Sequence, residues 1–211
     1  MSNLGGGRRS DASRNIRRIL DATAELLAVD AGASMERVAA AAGVSRATLY
    51  HHFSSRDALL DALTDESIRE VADALHAARP GEGDPREAME RVLRAAWEVI
   101  GRYRGLVVVN PRRLERPVLR ARLAPALAPL RTLLARGQDA GAFDPELPVE
   151  WLIGTLTDLI HAASRQVTAG AMSPAEAERV LLRTAGAALG SHQRRPGGDR
   201  RRATKDRADA P

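Results

Sequence analysis

Residues 41–53 read AAGVSRATLYHHF, and their reading decides the fold. The turn Ala42-Gly43-Val44 ends a short helical run, MERVAAA, and Ser45 can cap a second short helix that continues to Phe53. At 100° per residue, Leu49 and Phe53 share one face of this second helix, with Val44 at its entrance. That face is expected to pack on Val38, Ala39 and Ala42 of the preceding helix. Ala47, Thr48 and His51 point the other way, flanked by Arg46 and Tyr50 on one side and His52 on the other. The chain has only six aromatic residues, two each of Phe, Trp and Tyr, so an outward Tyr beside two His on a nine-residue segment calls for a reason. Duplex DNA supplies one. Arg46 can donate two hydrogen bonds to guanine, Ala47 can meet a thymine methyl, and Thr48, Tyr50 and the imidazoles can donate to phosphates. Two short helices joined through a glycine turn, the second presenting such a face, form a helix-turn-helix.

Outward from this pair, helix signals continue in both directions. Ile16, Ile19, Leu20, Thr23, Ala24 and Leu27 recur at helical spacing and predict a helix from about Ala12 to Val29, stopped by Gly32 and followed by Ser34 as a cap for MERVAAA. Downstream, Ser54 or Ser55 opens a long helix whose stripe, Leu59, Leu60, Leu63, Ile68, Val71 and Leu75, runs to about Ala78. After the break RPGEGDP, Asp84, Pro85 and Glu87 stand as cap, first helical residue and capping partner, and Ser173, Pro174 and Glu176 repeat the signature. The β-branched triplet Val107-Val108-Val109 lies between Gly105 and Asn110-Pro111 and is read as a buried helical turn. Pro125 and Pro129 divide residues 117–138 into a short piece ending near Leu123 and a helix starting near Pro125. Helices from about Val149 to Thr168, apolar over more than one face, and from Pro174 to about Leu189 complete an all-α chain.

Composition excludes several function classes. With no cysteine among 211 residues, disulfides, thiolate nucleophiles and Cys-ligated zinc are ruled out. The amino-terminal segment has no apolar run of signal-peptide length, and no later segment approaches the ~18 apolar residues of a membrane span, so a cytoplasmic protein without membrane contact is expected. His51 and His52 are adjacent and point about 100° apart, whereas a helical zinc pair needs i, i+4 spacing. No HExxH, GxSxG or P-loop occurs, so neither enzyme chemistry, nor a metal, nor a cofactor is expected. The formal charge of +5 is concentrated at the ends: residues 1–18 and 191–211 each carry +4, and the middle is negative. Residues 1–11 read as a disordered basic arm and 191–211 as a disordered basic tail.

The run ILDATAELLAVDAGASMERVAAAAGVSRATLYHHFSSRDALLDAL, and within it AAGVSRATLYHHF with SSRDALLDAL, resembles the DNA-binding region of the TetR family of transcriptional regulators. The resemblance implies a three-helix DNA-binding domain over 12–60 and a helical effector-binding and dimerisation domain over 61–190. It implies DNA contacts from Ser34, Ser45, Arg46, Ala47, Thr48, Tyr50, His51, His52 and Arg56. Of these, Arg46 and Ala47 would face base edges, Thr48 a phosphate, Tyr50 the backbone or a base, and the two His residues the groove. Arg56 stands where the family usually has lysine at the start of the fourth helix, and takes its phosphate role. The loop VDAGAS is about two residues shorter than the family's usual one, and Ser34 replaces a common Thr. For an effector, Trp97, Tyr103, Trp151 and His161 are the side chains that could line a pocket, and their surroundings suit an apolar ligand.

The expected protein is a homodimeric repressor released from a palindromic operator by a small molecule. The alternative is an activator or constitutive DNA-binding regulator whose carboxy-terminal part only dimerises. A third reading, non-specific DNA coating through the basic ends, predicts binding indifferent to Tyr50.

Overall fold

The computed structural model describes residues 5–190, with side chains from residue 13 onward; residues 1–4 and the tail expected over 191–211 lie outside the described residues. Among the described residues ten helices follow one another: α1 (Gly5–Val29), α2 (Met35–Ala42), α3 (Arg46–His52), α4 (Arg56–Ala77), α5 (Pro85–Arg102), α6 (Arg104–Arg113), α7 (Arg116–Leu123), α8 (Ala128–Asp139), α9 (Val149–Thr168) and α10 (Pro174–Leu189). The sole β feature among them is one antiparallel bridge between Phe143 and Gly190.

Helix starts follow the sequence signals closely. Ser34, Ser45 and Ser55 each accept a hydrogen bond from the amide three residues on. Asp84 accepts from the amides of Arg86 and Glu87 with Pro85 behind it, and Ser173 and Glu176 close a reciprocal capping box. Pro129 lies in the first turn of α8, so that helix begins at Ala128, three residues later than expected, after a turn over 124–127. The first helix differs more. It begins at Gly5 rather than near Ala12, so residues 5–11 of the expected arm are helical backbone. Adding residues to a helix already nucleated by the packed stretch Ile19–Leu27 requires only propagation, which outweighs the weak helix propensity of three glycines. The valine triplet is helical, as expected, and partly buried; α6 runs on through Pro111 to Arg113.

The core is one apolar body threading the chain. Ile19, Leu20 and Leu27 of α1, Val38 and Ala39 of α2, Leu49 of α3, and Leu59, Leu60 and Leu63 of α4 continue into Met89, Val92 and Leu93 of α5, Leu133 and Leu134 of α8, and Leu152 and Leu156 of α9. Each fully buried Leu or Ile removes enough apolar area from water to contribute roughly 1.5–3 kcal/mol. A satellite cluster of Trp97, Ala163, Ala177 and Leu181 sits where α5, α9 and α10 meet, covered by Met172, Ile160 and Val167. Buried hydroxyls of Thr23 and Thr64 bond the carbonyls of Ile19 and Leu60 one turn back, at 2.6 and 2.7 Å, so they enter the core satisfied.

Two helices couple the amino-terminal helices to the rest. α4 follows α3 directly and packs on α5, while α6 lies between α1 and α9. At the α1–α6 crossing Gly105 approaches so closely that a Cβ there would stand 2.5 Å from the backbone and side chain of Leu27. A glycine read as a boundary is therefore an interior packing position.

Candidate nucleic-acid interface

The turn between α2 and α3 is built from its backbone outward. Gly43 takes φ +63 and ψ +37, its amide bonding the carbonyl of Ala40 at 3.1 Å while the Val44 amide reaches back to Ala39 at 3.0 Å. This is a Schellman closure, which needs a residue tolerant of the left-handed region. The carbonyls left over, of Ala42 and Gly43, accept from Nη2 of Arg18 on α1 at 2.7 and 3.4 Å. Arg18 thus ties the supporting helix to the turn that sets the angle of α3.

On α3, Leu49 is fully buried and Phe53 closes the helix against the core, which fixes the rotation of the remaining side chains. Arg46, Ala47, Tyr50 and His51 are exposed, Tyr50 to 42 %, and Thr48 and His52 are half-buried. The face expected from the sequence is therefore the face turned to solvent. Ser45 holds the helix start twice over: its Oγ accepts the Thr48 amide at 3.1 Å and lies 2.8 Å from the Thr48 hydroxyl. Arg46 pairs with Glu36 of α2 at 2.9 Å with both side chains largely in water, so the guanidinium is held over the reader's face by a contact weak enough to exchange for a base or phosphate. A hydrogen bond from its own backbone amide, one from Ser34 and the charge of Arg46 together hold the Glu36 carboxyl below its ordinary range. The rings of His51 and His52 stand edge to face at 5.4 Å.

Arg56 is placed differently from a free phosphate ligand. Its Nε and Nη2 donate to the carbonyls of Ala33 and Ala31 at 3.3 and 2.6 Å, clasping the short loop between α1 and α2. Asp30 stiffens the same loop by accepting from the Gly32 amide at 2.8 Å and pairing with Arg37. Ser34 serves as the cap of α2, accepting the Arg37 amide. Neither the Arg18 nor the Arg56 clasp could be foreseen, because each spans more than twenty residues and ends on a backbone carbonyl.

The four side chains considered for an effector do not form one constellation. Trp97 is buried in the satellite cluster. His161 is partly buried on α9; burial holds its imidazole below the ordinary histidine range, with Asp158 pulling upward and Arg165 downward. One turn beyond it, the buried hydroxyl of Ser164 has no hydrogen-bond partner among the described residues, a feature with no sequence signal. Tyr103 is buried at the α5–α6 junction and donates to Glu70 of α4 at 2.9 Å, while Arg102 holds the other oxygen of that carboxylate at 2.6 Å. Burial, then the hydrogen bond and charge of Glu70, push its phenol up to about 12. Trp151 is 66 % exposed at the start of α9.

No helix of the described residues is long and apolar enough to cross a membrane. Residues 19–63 match the model of the bacterial regulatory proteins of the tetR family. No curated protein matches the sequence significantly. Among solved structures the fold is similar to the TetR-like regulator LfrR of Mycobacterium smegmatis in complex with proflavine, at 25 % identity and a TM-score of 0.69 over 83 % of this chain and 97 % of that one. It is similar also to the TetR-family regulator PfmR of Thermus thermophilus, at 26 % identity and 0.66 over 84 % and 100 %. The fatty acid degradation regulator FadR of Bacillus halodurans shares the fold at 20 % identity, with a TM-score of 0.66 over 85 % and 96 %. Residues 19–63 thus match the tetR-family regulatory model, and the fold over most of the chain is similar to that of TetR-family transcriptional regulators along nearly their whole length.

Proposed function

We propose that the protein is a homodimeric repressor that binds a palindromic operator through α3 and is released by a small molecule held in the carboxy-terminal helices. The observation that carries this reading is the solvent-facing set Arg46, Ala47, Tyr50 and His51, with Thr48 at its margin, on a helix whose rotation Leu49 and Phe53 fix. Arg46 and Ala47 read base edges, Thr48 and Tyr50 hold the backbone, and His51 and His52 lie at the groove. Ser34 and Ser45 hold the starts of α2 and α3 against the duplex, and Arg56 reaches a phosphate from the clasped loop. Residues to about 60 form the DNA-binding unit, and 61–190 bind the effector and dimerise.

The effector site we favour lies beside the satellite cluster, where Trp97 offers an apolar wall, the Ser164 hydroxyl offers unmet hydrogen bonding and His161 stands one turn before it. An apolar molecule with one polar group suits it. The LfrR complex with proflavine supports a small-molecule role for a fold of this kind. Release requires the effector to prefer the dimer whose readers no longer match successive major grooves, because equal affinity for both states shifts nothing. A second reading, an activator or constitutive regulator, draws on Tyr103 being engaged by Glu70 and Trp151 standing in solvent, which removes two of the four expected pocket side chains.

Selection from a random duplex pool at near-physiological salt tests the reading. A recovered palindrome with half-sites about 10 base pairs apart supports the dimeric reader. Binding that tracks salt alone, with no enriched sequence, overturns it. Relief of that binding by small molecules then separates the repressor from the constitutive regulator.

A further inference from the structure

We infer that Arg112, Arg116 and Arg120, at the corner where α6 passes into α7, form a second phosphate-contacting surface that grips DNA flanking the sequence read by α3. The inference rests on the reading above that α3 binds duplex DNA.

The position of the corner follows from the register of α6 on α4. The Tyr103 hydroxyl meets Glu70 at 2.9 Å, the Asn110 amide meets Thr64 at 3.2 Å, and Arg113 meets Asp61 at 3.0 Å. Each step toward the end of α6 is thus a step toward the start of α4. That start, Arg56, follows the reader helix after three residues, and Asp61 lies only about 8 Å along the axis from it. The far end of α6, and α7 after it, therefore stand on the reader's side of the carboxy-terminal helices. Arg122 fastens α7 there, to Asp61 at 3.0 Å and Asp65 at 2.5 Å.

The charge of the corner is not consumed by the fold. Residues 104–123 carry Arg104, Arg112, Arg113, Arg116, Arg120 and Arg122 against the single acid Glu115. Arg113 and Arg122 are neutralised by α4. Arg112, Arg116 and Arg120 are exposed, and none of them forms an ion pair among the described residues. α7 has no fully buried side chain, only Leu119, Arg122 and Leu123 being partly covered, so the core does not account for Arg116 and Arg120. Arg116 and Arg120 are one turn apart on one face. Three exposed guanidiniums at one corner attract an extended anion, and the phosphate backbone is such an anion at the required side of the molecule. A lipid surface fits less well: Val118 is the one large apolar side chain exposed on α7, where an interfacial helix needs a broad apolar face.

The test uses the full chain and the duplex recovered by selection, in a minimal form and in a form extended on both sides. Binding is measured across a salt series for the wild type, for the triple variant Arg112→Ala, Arg116→Ala, Arg120→Ala, and for the corresponding triple Arg→Lys variant. On the extended duplex the Ala variant should bind about tenfold more weakly, with the slope of log K against log salt shallower by about one for each lost contact, and its sequence preference unchanged. The Lys variant should restore the slope. Circular dichroism and thermal midpoints like those of the wild type establish that the exposed substitutions leave the fold intact. An unchanged slope and no advantage of the extended duplex in the wild type overturn the inference while leaving the reader intact. Retention of the wild type on phosphatidylglycerol vesicles, lost in the Ala variant with DNA binding unaltered, also overturns it and assigns the corner to lipid. Failure of the wild type to select any sequence sinks the reader and the flanking grip together.

Discussion

Single residues carry the coupling between the reader and the remaining helices. Gly105 is one. With 2.5 Å between a would-be Cβ and Leu27, Gly105→Ala forces α6 off α1, and overpacking of this kind costs about 1–3 kcal/mol. Urea unfolding should show that loss with an unchanged m-value, and a variant as stable as the wild type would refute the close approach. His161 makes a prediction of the opposite kind, in pH. Its imidazole is held below the ordinary histidine value by burial, so the unfolded chain takes up a proton at a higher pH than the folded one does. The stability associated with neutral His161 is therefore present above the ordinary histidine value of about 6.5 and is lost as pH falls from there through the lower folded value. Unfolding at about pH 7.5 and about pH 5.5 should show a smaller drop for His161→Phe than for the wild type. An equal drop would mean that His161 protonates as readily in the folded state.

Among the elements, α7 is the least committed to the core. It is held by Arg122 on Asp61 and Asp65, and burial of Asp61 would raise its carboxyl were it not outweighed by the hydrogen bonds from Arg122 and Arg113, which leave it below its ordinary range. Arg122→Ala should therefore free α7 without unfolding the molecule: amide exchange over 116–123 should quicken about tenfold, while the global stability falls by less than ~1 kcal/mol. Protection of that segment equal to the wild type's would place the anchorage elsewhere. The contrast with α3 explains what the sequence could tell. Caps at Ser34, Ser45, Asp84 and Ser173 were legible because a cap acts within three residues, and the outward face of α3 was legible because one buried leucine and one phenylalanine fix its rotation. Arg18 on the turn, Arg56 on the loop, and Arg113 and Arg122 on Asp61 were not, since each bridges segments more than twenty residues apart. Tyr103 shows the same limit from the other side. Its aromatic ring suggested a pocket, whereas its hydroxyl is spent on Glu70 across 33 residues of sequence.

At the scale of the molecule, the homodimer proposed above predicts that a second copy covers the outer faces of α9 and α10. Val180 is 47 % exposed, and Thr184 and Ala187 continue its face along α10. Gly186 and Gly154 have open space where a Cβ would stand, so helices of another protomer could approach closely. Val180 on α10 and the strongly exposed Trp151 at the start of α9 are the large apolar side chains that these two helices leave in solvent. In a two-fold interface each position occurs twice, so Val180→Glu introduces two carboxylates into one apolar seam. Sedimentation should then show a dimer for the wild type and a monomer for the variant at micromolar concentration, with the helical content of both the same. The consequence for DNA follows from geometry. Two readers on one dimer bind a palindrome with the second half-site at high effective concentration, an advantage of about 10²–10⁴ that a monomer forfeits. Val180→Glu should accordingly lose affinity for the full palindrome by a factor in that range while keeping that for a single half-site, and should become indifferent to half-site spacing. A variant that remains dimeric and still measures the spacing would move the interface off α10.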